Sequence, residues 1–282
     1  MIQLIYSLTL FLTGIIAGVV GSFTGLGGAT VITPALTLIF GIPLEFAAGA
    51  SLVATIATSC SATQAYIKDR ITNLKIGLSL EIATTVGAIV GAVSAAMFYS
   101  HNLAYLLFIV FGIVVLLSVY PTLHKRKSLQ KVKPDWSTRF FQLKGKYYDE
   151  SSRRTTAYSG VRWWLGESIM LVAGIISGLL GVGSGVLKVL AMDSGMRLPI
   201  KVSTATSDFM IGVTAVTGSA IYWGLGYIKP LLVAPIILGV FLGAYLGSRL
   251  MVRESMGIVR KIFVVILLAV AVEMILRGLG IA

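Results

Sequence analysis

Gly21-Ser22-Phe23-Thr24-Gly25-Leu26-Gly27-Gly28, and later Gly181-Val182-Gly183-Ser184-Gly185, interrupt two long apolar stretches. An interior glycine costs a helix about 1 kcal/mol relative to alanine, so each run predicts a break. The flanking apolar segments, 4–20 with 29–41 and 165–182 with 186–192, fall short of the roughly 20 residues needed to cross about 30 Å of hydrocarbon. Two short helices joined at a glycine tip predict a broken, re-entrant helical hairpin.

Further apolar segments follow each hairpin: 46–66, 76–99 and 103–121 in the first half, then 201–225, 228–249 and 257–280 in the second. The halves are copies. Gly14-Ile15-Ile16-Ala17-Gly18-Val19-Val20-Gly21 matches Gly174-Ile175-Ile176-Ser177-Gly178-Leu179-Leu180-Gly181, Pro43 matches Pro199, and Gly87 with Gly91 matches Gly239 with Gly243. This is an internal duplication. It divides the chain into a first transmembrane repeat, 1–121, a basic loop, 122–162, and a second transmembrane repeat, 163–282.

Composition agrees. Of 282 residues, 56% are hydrophobic and 12% charged, against about 45–50% and about 25% in soluble domains. The formal net charge is +12. The loop 122–162 holds 11 basic and 3 acidic residues, the signature of a cytoplasmic loop, and a nucleic-acid partner is not expected. Hairpin-plus-three-span halves are inverted and place 20 Lys and Arg inside and 2 outside, with Lys188 in the membrane; four full spans per half give 16 and 6. The inverted arrangement fits the positive-inside rule better. It predicts a multi-pass protein of the cell membrane with both termini extracytoplasmic and the central loop cytoplasmic. The expected fold is an all-α integral membrane protein with two inverted repeats, each a hairpin plus three transmembrane helices, about ten helical segments in all. Trp136, Phe140, Phe141, Tyr147 and Tyr148 among the loop's basic residues suit either a segment lying on an anionic lipid surface or a solvated linker.

A helix that starts inside the membrane offers unpaired N–H groups and partial positive charge to an anion. Gly25, Gly27, Gly28, Gly183 and Gly185 let the backbone approach a ligand, and Thr24, Thr30 and Ser184 add hydroxyls. The alternative role for such glycines is close helix packing, which Gly87/Gly91 and Gly239/Gly243/Gly247 fit best. Lys188 either attracts an anion at depth or snorkels to the surface. Ser51 aligns with Ser207, and both belong to polar runs that bind substrate or simply hydrogen-bond between helices. Asp208, aligned with Leu52, is a candidate proton carrier or a partner for Lys188, if it is not an interfacial residue. Glu81, Glu167 and Glu273 read as interfacial.

A single cysteine, Cys60, and two histidines, His101 and His124, supply neither a metal cluster nor a Ser/His/Asp set. No catalytic residue, metal or other cofactor is expected. The G-x-x-x-x-G-K-[ST] spacing is absent, so no nucleotide site is expected either. The chain is read as a non-enzyme, the alternatives being an intramembrane enzyme or a lipid-binding structural protein.

Gly25-Leu26-Gly27-Gly28 with Pro34-Ala35-Leu36, then Gly41-Ile42-Pro43 and Ala47-Ala48-Gly49-Ala50-Ser51-Leu52, and the diverged copy Ser177-Gly178-Leu179-Leu180-Gly181-Val182-Gly183-Ser184-Gly185, resemble the TauE/SafE sulfite exporter family. The resemblance covers nearly all of the chain outside the central loop. It implies a transporter of sulfite, an organosulfonate or a related sulfur-containing anion. Family members often carry a longer glycine run at each tip, whereas here Ala29 follows Gly28 and Ser184 interrupts the second tip. With the cell interior negative, each elementary charge is worth about 2.3 kcal/mol per 100 mV, which favours export of an anion. The expected mechanism is alternating access around the two opposed tips.

Overall fold

The computed structural model describes residues 2–25, 27–101, 103–123, 134–149, 153–253 and 257–280. The first repeat forms α1 (Ile2–Thr24), α2 (Ala29–Pro34), α3 (Leu44–Lys68), α4 (Leu74–Ser100) and α5 (Ala104–Leu123). The loop contributes α6 (Trp136–Phe140) and an antiparallel pair, β1 (Lys144–Asp149) and β2 (Arg154–Ser159). The second repeat forms α7 (Trp163–Leu180), α8 (Gly185–Leu190), α9 (Ile200–Gly224), α10 (Pro230–Arg253) and α11 (Gly257–Gly278). Both α2 and α8 run on into a π-helical turn, Ala35–Ile39 and Ala191–Gly195. Among the described residues five helices, α1, α3, α4, α7 and α10, are long and apolar enough to cross a membrane.

Only the second limb of each hairpin is short. α1 has 23 residues and α7 has 18, about 35 and 27 Å at 1.5 Å per residue, where the sequence predicted two short limbs per repeat. The polar end of α1 stays helical because its hydroxyls return to the helix's own carbonyls: Ser22 donates to Gly18 O at 2.9 Å and Thr24 to Val20 O at 2.8 Å. The apolar pattern stops near residue 20, but backbone pairing does not.

Glycine sets the closest helix contacts. A Cβ on Gly87 or Gly91 of α4 would overlap the carbonyls of Leu171 and Ile175 on α7, and a Cβ on Gly239 or Gly243 of α10 would overlap those of Phe11 and Ile15 on α1. Equivalent glycines thus serve equivalent contacts, α4 on α7 and α10 on α1. The polar helices α3 and α9 run in opposite directions. The Phe46 ring, at the start of α3, meets that of Tyr227 just beyond α9, and Thr72, just beyond α3, donates to Ala205 O near the start of α9. α5 and α11 are likewise opposed, with Gly112 beside Ala271 and Gly278 beside Tyr105.

One end of the bundle gathers Tyr6 with Phe40, Tyr227 with Phe46 and Tyr99, and Arg277 donating to Thr37 O at 2.9 Å. The opposite end carries α6 and the β-pair. Tyr147 and Tyr158 pack there with Tyr66, Ile71 and Val202, and Lys201 meets Asp149 at 2.7 Å. The sequence reading had no strands in this loop. Residues 124–133 and 150–152, and with them His124, lie outside the described residues.

Asp135 fastens the loop to the bundle. Its carboxylate caps α6 through the Thr138 N–H at 2.8 Å and accepts the Arg162 N–H at 2.7 Å. Burial alone would raise this carboxyl; the hydrogen bonds from Arg162, Ser137 and Thr138 outweigh it and hold the group well below the usual carboxylate range.

Two outcomes follow. Gly91→Leu forces α4 from α7 and lowers the thermal stability of the detergent-solubilised protein by about 1–3 kcal/mol, whereas Gly224→Ala, where a Cβ meets nothing within 4 Å, leaves it unchanged. Asp135→Ala costs the cap about 1 kcal/mol and exposes 134–162 to limited proteolysis. Because the native carboxyl is lowered, this contribution is present above about pH 4 and fades as the pH falls toward the lowered value, so acid should raise cleavage of the native chain more than of Asp135→Ala.

Candidate functional site

The two tips meet where α3 crosses α9. Gly27 and Gly183 both have φ of +70°, a conformation glycine adopts at no steric cost. A Cβ on Gly27 would lie 3.2 Å from Thr55 Cγ2 and 3.3 Å from Ile211 Cγ2, and one on Gly183 would lie 2.8 Å from Ile211 Cγ2 and 3.1 Å from Thr55 Cγ2. The tips therefore rest on the same two side chains, near the middle of two 25-residue helices.

Each polar helix holds the tip of the other repeat. Ser51 Oγ donates to Gly181 O at 2.9 Å, and Ser207 Oγ lies 3.0 Å from Gly25 O and 3.3 Å from Gly185 O. Gly25 and Gly181 follow the last turns of α1 and α7 with positive φ, so their carbonyls leave the helical ladder and need an outside donor. Ser51 also shares a 2.7 Å hydrogen bond with Thr33. Thr24 is bonded to Val20 O, and Thr30 Oγ1 donates to Gly27 O at 3.3 Å. Gly28 precedes α2 as its N-cap, and Gly185 opens α8. The structure thus brings all the sequence-predicted tip residues and both serines together, with four of the hydroxyls directed at backbone carbonyls.

Ser184 differs. It stands before α8 with φ +46° and does not cap it, and its Oγ is buried with no partner. With Thr30 it borders a cavity of about 10 Å³ against Phe111 and Leu180, space for about one water. Asp208 is also buried, and its Oδ2 has no partner, although its backbone carbonyl accepts Ser59 Oγ at 2.6 Å.

Lys188 does not snorkel and does not pair with Asp208. It is fully buried, its Nζ donates to Thr214 Oγ1 and lies 3.7 Å from Glu81 Oε2. Thr214 Oγ1 donates to Glu81 Oε1 at 2.6 Å, and Thr84 Oγ1 to Glu81 Oε2 at 3.3 Å. Glu81, read from sequence as interfacial, is only 5% exposed. α4 tilts the residue inward onto α8 and α9, and a threonine hydroxyl bridges the two charges. The signal for it lay in Glu81-Ile82-Ala83-Thr84-Thr85, where hydroxyls three and four residues on share the helix face of the acid. Its counterpart in the other repeat, by the match of Gly87 with Gly239, is Val233, and those of Lys188 and Asp208 are Ile32 and Leu52; these three lie in one apolar cluster. His101 sits exposed at the end of α4 with Nδ1 against Met97 O, away from the crossing.

Ser207→Ala leaves a buried carbonyl without its donor and should cost about 1–3 kcal/mol, with Ser51→Ala costing a similar amount. Thermal unfolding in detergent measures both, and an unchanged midpoint would show that the two serines do not hold the tips.

A family model for the TauE/SafE sulfite exporters matches residues 10–274. "Probable membrane transporter protein YunE" of Bacillus subtilis (strain 168) is 30% identical, covering 96% of this chain and 97% of its own. "Probable membrane transporter protein YdhB" of the same organism is 28% identical over 86% of this chain and 87% of its own, and "Probable membrane transporter protein ORF9" of a Sinorhizobium species is 25% identical over 94% and 91%. No solved structure gives a significant match. With glycine tips joined at the crossing of two polar helices and a family match over nearly its whole length, the chain belongs to the TauE/SafE family of membrane transporters.

Proposed function

We propose that this membrane transporter exports a small sulfur-containing anion, such as sulfite or an organosulfonate, by alternating access around the paired tips. The observation that carries the reading is the meeting of two glycine tips on Thr55 and Ile211, with the Ser184 hydroxyl buried beside them and unpartnered. The first N–H groups of two short helices and a free hydroxyl are the donors an oxyanion needs. In this reading Gly25, Gly27, Gly28, Gly183, Ser184 and Gly185 line the path, Thr24, Thr30, Ser51 and Ser207 set the geometry of the tips, and Lys188 supplies charge. Asp208 is the proton-coupling residue of the polar helices.

The repeats lie inverted in the membrane of the cell, with both termini extracytoplasmic, the 122–162 loop cytoplasmic, and the exposed Trp136, Phe140 and Trp164 in contact with membrane lipid. The opposed directions of α3 and α9 support this arrangement, as does the count of basic residues.

Flux of labelled sulfite in liposomes containing the purified protein tests the substrate, with sulfate and a short organosulfonate as competitors under an imposed potential. Flux that follows the potential and yields to sulfonate is the expected result, and flux of none of the three would overturn the substrate class. Gly183→Val should abolish flux at normal expression; a fully active variant would remove the tips from the path. Cysteine labelling from outside intact cells should reach a residue placed after Gly278 but none in 134–149, and the reverse pattern would overturn the orientation.

A further inference from the structure

Lys188, the one cation buried among the described residues of the membrane core, is already occupied. Its ammonium is compensated by Glu81, and Thr214 stands between them, donating to the carboxylate and accepting from the ammonium. Three elements meet here, α4, α8 and α9. The groups facing Glu81 are Lys188 from α8, Thr214 from α9, and Thr84 and Thr85 from its own helix. α7, which also packs on α4, brings Glu167 against the Ala83 backbone instead. Among the described residues, the only titratable group in contact with Glu81 is therefore Lys188.

A transported anion that uses Lys188 must take the place Glu81 holds. If Glu81 gave up Lys188 and stayed ionised, the core would keep a bare carboxylate beside the incoming anion, a like-charge arrangement that is costly in low dielectric. A proton removes that cost. We propose, resting on the reading of the chain as an anion transporter, that Glu81 is a resident counter-anion: it neutralises Lys188 in the empty protein and, on taking one proton, releases Lys188 to the substrate. The balance is simple. A proton from water forms an O–H bond on a Glu81 carboxylate oxygen, Lys188 stays an ammonium and donates to an oxygen of the anion, and when the anion leaves the proton returns to water and the ion pair reforms. Glu81 is thus a second proton site, distinct from Asp208, and the one coupled to substrate charge. With the Glu81 proton alone, a divalent oxyanion moves with one net negative charge, which an interior-negative potential still drives outward.

The same geometry accounts for the asymmetry between the repeats. Val233 and Ile32 occupy the corresponding places in an apolar cluster, so one copy has a charge-exchange site where the other has packing.

The test is anion flux in liposomes at a fixed potential while the pH is stepped on both sides together. The wild-type protein should show a proton dependence that includes the Glu81 proton, worth up to about tenfold per pH unit in its steep region, and Glu81→Gln, which keeps the shape of the side chain and removes its charge, should lower the slope by that one proton. Asp208→Asn should keep the slope assigned to Glu81. Because Glu81→Gln leaves Lys188 alone, Glu81→Gln with Lys188→Met is the folded control: it should stay monodisperse and lose both flux and pH dependence. A Glu81→Gln profile like that of the wild type, a flat profile in Asp208→Asn alone, or normal pH-dependent flux in the double variant would each overturn the inference while leaving anion transport intact. Absence of flux in the wild type would instead overturn the transport reading on which it rests.

Discussion

Everything in this fold depends on how broken backbone is satisfied where there is no water. A helix that ends inside a membrane presents carbonyls and N–H groups with no partner in its own chain direction, and each left unpaired in hydrocarbon costs several kcal/mol. Here the answer is reciprocal. The serine of α3 serves the tip of the second repeat, and the serine of α9 serves that of the first. Each half thus contributes a donor to the break of the other, and the crossing of α3 and α9 carries that exchange as well as apolar packing.

The glycines divide accordingly. Those of α4 and α10 remove side chains so that helix backbones touch, while Gly27 and Gly183 supply a backbone reversal over Thr55 and Ile211. In the membrane, association rests on such close packing more than on hydrophobic burial. The tips can sit at the centre because the pairs α1 with α10 and α4 with α7 hold the frame around them without bulky side chains.

Much of this was legible in the sequence because it rests on composition and on repetition. Interrupted apolar runs marked the hairpins, and glycines at four-residue spacing marked the tight contacts. Three things were not. The length of α1 was hidden because Ser22 and Thr24 satisfy themselves within the helix, which hydropathy does not register. The β-pair in the central loop depends on tyrosines that find partners on α3 and α9, contacts distant in the chain. Glu81 looked interfacial because counting residues from the end of a span gives depth but not direction, and the direction is set by a threonine 133 residues away.

A duplicated frame with opposed copies has no preference of its own for either of the two arrangements that exchanging the roles of its halves would produce. Identical copies would leave the two equal in energy and equally populated. Among the many positions at which the copies of this chain differ, three place a charge in one copy only, Lys188 opposite Ile32, Glu81 opposite Val233 and Asp208 opposite Leu52. A difference of 1.4 kcal/mol shifts such a balance about tenfold. In the proposed alternating-access cycle the resting bias is therefore set by residues that differ between the copies, and could drift in evolution by single substitutions without disturbing the scaffold that both copies share.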